Sequence, residues 1–548
     1  MPPLTRRRFA ALTAGALLLA LTGCDSDSES SDATDLSGNR AGAMADLQVG
    51  QQFTATEPLT FPILYSSHPN YPLKKDWLFF SELGKRTGVT LQPTEVPMSD
   101  YEKKRGLLIG AGDAPFIIPK TYPGQERAYV ASGTILPVSD YLDLMPNLKD
   151  KIAKWKLGPD IDTLRQEDGK FYLLPGVHEE VWPDFSLALR TDVLKELNLA
   201  VPTTWDELHT VLKAMKAAHP TSYPFSDRFA VPNPGGSLLN ILAQSYSTRG
   251  GWGYLNASWD AAGKTFAFTG AMDGYKQMLE YLHTLVAEGL LDPESFTQSD
   301  DAATQKFVTG KSFVISTNAQ NIVRDYRPAL TKANPKATVV KIPVPDGPAG
   351  HVQGGTRLEN GLMVTKKARE SKNFVAMMQF IDWLWYSDQG EEFAKWGVEG
   401  TTYTKDAAGK RTFTADVDFV GLNPKGTKNL QVAYGFMNGV FAYGGTTELL
   451  QSMFSAEELV FQKEMASKTI LPVDPPYPFS AEEREQASLW ETSLKDHVDA
   501  NTLQFILGQR DFAQWPAYLD ELKTKNMTQY VDLVNKAHER FVKDHGGQ

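Results

Sequence analysis

Apolar and polar positions alternate along the body of the chain with two rhythms. The run PLTFPILYSS (58–67) is apolar, short and bounded by turn-forming residues, which predicts a buried strand. KKDWLFFSELGKRTG (74–88) follows as an amphipathic helix that Gly88 stops. VTLQPTEVP (89–97) predicts a second strand, SDYEKKRGLLIGAG (99–112) a helix with Ser99 as its N-cap, and DAPFIIP (113–119) a third strand. This order predicts an α/β fold around a parallel sheet with right-handed crossovers. Further on, a turn at Asp168-Gly169 leads into KFYLLP as a strand, and SLALRTDVLKELNL reads as a strand running into a short helix. VPTTWDELHTVLKAMKAA opens with Pro202, a Thr cap and the acids Asp206 and Glu207, the arrangement that favours a helix N-terminus. At helical spacing, Trp383, Trp385 and Tyr386 within FVAMMQFIDWLWY are expected in the core, and Trp77, Phe79 and Phe80 likewise.

A different pattern opens the chain. Arg6, Arg7 and Arg8 precede an uncharged stretch from Phe9 to Gly23. That stretch is short of the about 20 apolar residues a bilayer crossing requires. A basic segment, an apolar segment and then small residues form the layout of an export signal, residues 1–23. Arg6 and Arg7 resemble the pair of a twin-arginine signal, and Leu21-Thr22-Gly23-Cys24 resembles a bacterial lipobox. Cys24 is the one cysteine among 548 residues. Its reading here is a lipid attachment point, since each buried methylene holds by about 0.8 kcal/mol. The alternatives are an incidental cysteine in a secreted protein and a catalytic thiol, which would need a partnered site inside a folded domain. The acidic, Ser- and Gly-rich segment 24–52 is expected to be a flexible tether. The resulting location is extracytoplasmic, anchored to the cell membrane through lipid on Cys24.

Composition narrows the function classes. Lys+Arg number 55 against 66 Asp+Glu, a net charge of −11, and loss of the signal would remove three arginines more. No basic run of five or more residues occurs, which argues against nucleic acid as a partner. HEEVW and HERFV lack the second histidine of H-E-x-x-H, and no G-x-S-x-G, P-loop or dinucleotide fingerprint is present. Nine scattered histidines give no metal-ligand spacing, so neither a metal nor a cofactor is expected. A glycosidase needs only two facing carboxylates, which an acid-rich chain could supply anywhere.

AGDAPFII, DGKFYLLP and LRTDVLKELNLAVPTTWDEL occur in this order, followed by GAMDGYKQMLEYLHTLVAEGLLDPESFT, QKFVTGKSFVIST and the segment 360–403. Together they resemble the large bacterial extracellular solute-binding lipoproteins of ABC importers (family 1 type), among them the alginate-binding and LipO-like oligosaccharide-binding proteins. The resemblance covers nearly the whole chain after the tether. HPTSYPFSD departs from it, because it lacks the alternating oxygen ligands of the calcium loop that some relatives carry. The resemblance implies a two-lobed periplasmic-binding-protein fold (type II) with an interlobe cleft and a helical C-terminal extension. One lobe would hold 53–177 and 313–366, the other 178–312 and 367–548. It further implies a monomeric, non-enzymatic receptor that captures a carbohydrate, expected to be an oligosaccharide, by hinge closure. Its partners would be the transmembrane subunits of an ABC permease. An oligopeptide-binding lipoprotein, a scaffold or sensor, and a surface glycoside hydrolase are the rival readings.

Ligands of open α/β sheets bind beyond the carboxyl ends of strands, and sugars are recognised by planar polar side chains together with aromatic faces. Loops combining both nominate His68, Asn70 and Tyr71; His178, Glu179 and Trp182; Tyr246, Arg249 and Trp252; Asn318 and Gln320; Arg357 and Glu359; and Trp396 and Tyr403. Each has a structural alternative: a turn made by Pro69 and Pro72, a solvated linker at His178, helix capping by Asn318, core packing for Trp396 and Tyr403. Replacing Cys24 by serine is expected to move the protein from the detergent phase to the aqueous phase in a phase-partition assay of producing cells; unchanged partition would refute the lipid anchor.

Overall fold

The computed structural model describes residues 35–228 and 235–546; Arg6, Arg7 and Cys24 lie outside them. Residues 39–548 form one compact unit, and of the separate unit 1–38 only the last residues are described.

Eleven strands place the functional region. β1 (Leu59–Ser67), β2 (Val89–Pro97), β3 (Ile117–Thr121) and β4 (Leu174–Val177) come first. β5 (Ser186–Arg190), the hairpin β6 (Ala257–Asp260) and β7 (Thr265–Phe268), then β8 (Val314–Thr317), β9 (Val339–Ile342), β10 (Val352–Gln353) and β11 (Leu358–Val364) follow. The first sheet has the order β2-β1-β3-β11-β4 and the second the order β8-β5-β9. The parallel sheet expected from the sequence is present in β2-β1-β3. Elsewhere the expectation is corrected: β11 runs antiparallel to β3 and β4, and β5 antiparallel to β8 and β9. Parallel pairing follows from a helical crossover within one sheet. β11 instead returns from the other sheet and comes in from the opposite end.

Strand pairing also corrects the expected grouping of segments. Val314–Thr317 and Val339–Ile342 pair with β5 rather than with the first sheet, while Leu358–Val364 joins β3 and β4. The helix Phe374–Tyr386, expected with the second lobe, packs on the first sheet through Phe380 against Phe53 and Phe61. The tether is shorter than expected as well. From Asn39 onward it is tied down: the Asn39 amide donates to the carbonyls of Arg369 and Ser371, Met44 N donates to the Gln379 side chain, and Leu47 is buried. Hydrogen bonds to a distant segment order a stretch whose composition is that of a coil.

Local signals are largely kept. The first helix spans Leu78–Thr87 and ends at Gly88, whose φ of 71° suits glycine and whose N–H bonds Gly84 O. Thr204 caps the helix Trp205–Ala218 by accepting from Glu207 N. Ser99 is not a cap, because Met98–Asp100 forms a 3-10 turn before the helix Tyr101–Gly110. KFYLLP becomes strand only from Leu174, since Phe171 N bonds the Ser139 hydroxyl instead of a ladder.

Two cores result. Trp77, Phe79, Trp383, Trp385 and Tyr386 are fully buried beside the first sheet, with Phe79 stacked on Phe441 at 4.3 Å. The other gathers Trp205, Leu208, Leu238, Tyr275, Leu279 and the C-terminal helices Ala481–Ile506, Trp515–Thr524 and Met527–His545. Ser480 and Glu483 close a reciprocal capping box at the start of the longest helix.

Asp382 is buried where the helix Pro146–Lys154 begins. Its carboxylate accepts from Asn147 N (3.0 Å), Leu148 N (2.9 Å) and Asn147 Nδ2 (2.7 Å), so it satisfies helix-end donors with no intrahelical partner. Burial outweighs those hydrogen bonds and pushes its pKa up to about 6. A pKa raised on folding favours the native state at low pH, and that contribution fades as pH rises from about 4 through about 6. Asp382→Ala is expected to destabilise the fold by about 2–4 kcal/mol at pH 7, because stripped amides stay buried. Urea unfolding at both pH values should show a wider gap between the two proteins at pH 4 than at pH 7.

Candidate functional site

The first strand of the first sheet leaves its carboxyl end through a tight turn. His68 and Tyr71 form an isolated bridge there, and their rings lie parallel, 2° apart in plane and 4.4 Å between centroids. Asn70 N donates to His68 Nδ1 at 3.1 Å, which fixes the imidazole orientation. Asn70 itself is exposed. The result is a two-ring platform at the end of the sheet. Beside it, β3 ends at Thr121, flanked by Lys120 and Tyr122, with the Lys120 ammonium 5.9 Å from the Tyr122 ring centroid. From the segment after β8 comes Arg324, bound through Nε and Nη2 to Asp325. The His68 pKa is lowered, first by burial and then by the charges of Arg324 and Lys120. Burial raises the Tyr71 pKa, and Arg324 opposes it. A charge from the segment after β8 therefore acts on a platform that belongs to the first sheet.

A second cluster forms where the chain crosses between the sheets. The crossings run from β4 to β5, from β9 to β11, and through Phe454 toward the helix Ala456–Met465. His178 Nε2 and Glu359 Oε2 are 3.0 Å apart, and Glu359 Oε1 accepts from Gly444 N at 2.9 Å. Glu179 accepts from Thr447 N at 2.8 Å. Trp182 lies 5.4 Å from His178 and stacks on Phe454 at 6.0 Å, and its buried indole N–H has no partner. Gly444 needs to be glycine: its φ is 51°, and a Cβ would stand 2.2 Å from Val177 O. Burial alone would raise the Glu359 pKa, but His178 and Lys395 hold it below the usual carboxylate range.

The structure thus brings together His68, Asn70 and Tyr71 at one point and His178, Glu179, Trp182 and Glu359 at another. The remaining nominees have other work. Arg357 donates from Nη2 and Nε to Asp160 (2.7 and 3.2 Å) and to the carbonyls of Trp155 (2.7 Å) and Lys156 (3.0 Å), so it is a structural clamp. Tyr246 is buried in the second core. Trp396 packs 4.5 Å from Phe413 and donates to Ser452, and Tyr403 is buried beside it. Asn318 caps the following turn by accepting from Gln320 N and Asn321 N. Gln320 is half-buried, next to that cap. Arg249 pairs with Asp474 at 2.7 Å. Trp252 is 37% exposed and meets Phe185 edge-on at 5.2 Å. For Arg249, Arg357 and Trp396 the partners lie far away in sequence: Asp474, Asp160 and Ser452.

Three residues at the junction escaped the sequence reading: Lys120, Arg324 and Phe454. Lys120 directly follows the predicted strand 113–119, so the rule that placed His68 at a strand end would have found it. Among the described residues, no group of three or more His, Cys, Asp or Glu side chains could hold a metal ion, and no helix is long and apolar enough to cross a membrane. A concavity of about 410 Å³ lined by Ile109, Ala114, Thr134, Thr365 and Lys366 lies at the opposite end of the first sheet, away from both clusters.

Removing the Arg357 clamp is expected to cost stability rather than remove a ligand contact. Arg357→Met should destabilise by about 3–5 kcal/mol in urea titration, since it leaves Asp160 buried without its cation. Unchanged stability would return Arg357 to the set of ligand-facing residues.

The comparisons with known proteins agree with this architecture. The family described as bacterial extracellular solute-binding protein matches residues 79–421. A fructooligosaccharide ABC transporter substrate-binding protein of Streptococcus pneumoniae, FusA, is 24% identical over 516 residues, covering 90% of this chain and 92% of its own. The polygalacturonan/rhamnogalacturonan-binding protein YtcQ of Bacillus subtilis is 23% identical, over 83% of this chain and 87% of its own. Among solved structures, alginate-binding protein AlgQ2 without calcium ion superposes with a TM-score of 0.68 at 20% identity, over 89% of this chain and 99% of that one. FusA in complex with kestose gives 0.66 at 21% identity, over 88% and 100%. With two α/β lobes joined at the His178–Glu359 crossing and a family match over most of its length, the chain belongs to the bacterial extracellular solute-binding proteins.

Proposed function

We propose that this chain is the substrate-binding lipoprotein of an ABC importer, that it captures an oligosaccharide between its lobes, and that it delivers it unaltered to the transmembrane permease. One observation carries the reading. The His68–Tyr71 platform stands at the carboxyl end of β1, and the charges of Lys120 and of Arg324, on the segment after β8, act on it. A flat aromatic face covers the C–H side of a sugar ring while polar groups meet its hydroxyls. The printed functions of FusA, YtcQ and AlgQ2 support the same class of ligand.

Strand pairing supports one lobe built on 59–177 and 358–453 and another on 186–342 and 456–546, with the cleft between them. Closure would be a hinge motion about the crossings at His178, Glu359 and Phe454, and the closed surface would be what the permease reads. Trp182, Glu179 and Glu359 would stand at the hinge end of this cleft, and His68, Asn70 and Tyr71 at its first-lobe wall. A diacylated Cys24 would hold a monomer at the membrane.

The test is thermal unfolding of residues 39–548 against a panel of oligosaccharides and peptides. A ligand at about 100 times its dissociation constant adds about 2.7 kcal/mol, a visible rise in midpoint. A rise with saccharides, and their intact recovery by chromatography, is expected. A rise with peptides alone would overturn the reading in favour of an oligopeptide receptor, and a cleaved sugar would make the protein a glycosidase. Within the saccharide that binds, Tyr71→Ala should weaken affinity about tenfold or more by titration calorimetry, with each factor of ten worth about 1.4 kcal/mol.

A further inference from the structure

Lys120 sits in a conformation that lysine rarely adopts. Its φ is 54°, in the left-handed region, at the last turn of β3 near the centre of the first sheet. The backbone is pinned there from both sides. Its N–H donates to the Tyr443 hydroxyl at 3.0 Å, and its carbonyl accepts from Arg105 Nη1 at 2.8 Å. A non-glycine residue held at positive φ costs about 1–3 kcal/mol and persists where the surroundings over-determine it, often at ligand sites.

The side chain that this strain positions is half-buried and, among the described residues, makes no ion pair. Other lysines taken out of water are satisfied by protein oxygens: Lys151, Lys306 and Lys341 each sit within 2.8 Å of a carboxylate oxygen, and Lys216 and Lys395 donate to the carbonyls of Ser222 and Tyr443. Around Lys120 the space is kept open. A Cβ on Gly439 would stand 3.2 Å from the ammonium and 3.8 Å from the Tyr71 hydroxyl. The ammonium, the Tyr71 hydroxyl and the His68–Tyr71 platform therefore share one small volume. The charge of Arg324, on the segment after β8, also acts on both rings of the platform. Two cations converge there in a protein of net charge −11, and only Arg324 has its own carboxylate, Asp325. A partly desolvated cation without a counter-ion is costly, and a ligand anion would remove that cost. It would also relieve the repulsion that closure imposes between the two cations.

We propose that Lys120 is the recognition point for a sugar carboxylate, so that the ligand class is acidic oligosaccharides rather than neutral ones. This rests on the carbohydrate reading above and deepens it. Tyr71 supplies the ring face, Lys120 the charge-assisted hydrogen bond, and Arg324 approaches from the opposite wall when the lobes close.

The experiment is titration calorimetry of residues 39–548 with oligogalacturonate, oligomannuronate and sialyllactose, each beside its methyl ester, and with kestose as a neutral saccharide. At least one acidic probe should bind, with at least tenfold loss on esterification. Lys120→Met should weaken that probe by about 10–100-fold, the range of one charge-assisted hydrogen bond, and leave its ester within about threefold. Lys120→Arg should restore most of the loss, and unchanged unfolding midpoints would exclude misfolding as the cause. Binding of esters or kestose as tight as any acid, or an acid affinity that Lys120→Met leaves intact, overturns the acidic-ligand proposal while the carbohydrate reading stands. Binding of peptides and of no saccharide overturns both.

Discussion

A single half-buried carboxylate ties the strand that returns from the second sheet to the chain that leaves the first. Glu359 lies on β11, the strand that returns from the second sheet, and it accepts from Gly444 N and pairs with His178 on the outgoing crossing. Three stretches of chain that meet nowhere else in sequence are thereby joined around two oxygens. A carboxylate removed from water must be paired and hydrogen-bonded to remain charged. That requirement sets where the crossings can run, and hence which strand ends face one another. The backbone repeats the same junction: His178 N bonds Arg357 O at 2.9 Å and Gly445 N bonds Val177 O at 2.9 Å.

Around this junction the first lobe carries an uncommon density of buried charge. Lys151 bonds Glu391 at 2.7 Å, and Lys395, fully buried, donates to Tyr443 O at 2.8 Å while its charge acts on Glu359 and Glu391. In the second lobe Lys341 bonds Glu458 at 2.8 Å with both side chains buried. Such pairs gain little stability over apolar packing of the same volume, but breaking one leaves an uncompensated charge. Their effect is positional: Glu391 is tied to the helix Pro146–Lys154, and Glu458 to β9. The aromatic cores do the complementary work, supplying apolar burial without specifying the angle between lobes.

The proposed recognition would be divided between rigid and strained parts. The ring platform at His68 and Tyr71 is set by a four-residue turn and needs little from the rest of the fold. Lys120 depends instead on Tyr443 and Arg105, which hold a backbone conformation its own sequence disfavours. Tyr443 lies one residue before Gly444, so the chain that binds Glu359 also braces the strand end that carries Lys120.

The sequence by itself determined the local elements and much of the function class. Alternation of apolar runs, Gly88 as a helix stop, Thr204 as a cap, and the helical spacing of Trp383, Trp385 and Tyr386 are properties of neighbouring residues, and the structure keeps them. The turn of the loop SSHPNYP was legible for the same reason, because the bridge and its stacked rings lie within four residues. Only the tertiary structure decided the direction of β11, the pairing of β8 and β9 with β5, and the fate of the other candidates. Arg357 meets Asp160 across 197 residues, His178 meets Glu359 across 181, and Asn438 meets Tyr65 across 373. A guanidinium or a carboxylate carries the same chemistry whether it faces a ligand or a buried partner. What separates the two outcomes is which distant segment reaches it first, and no local pattern records that.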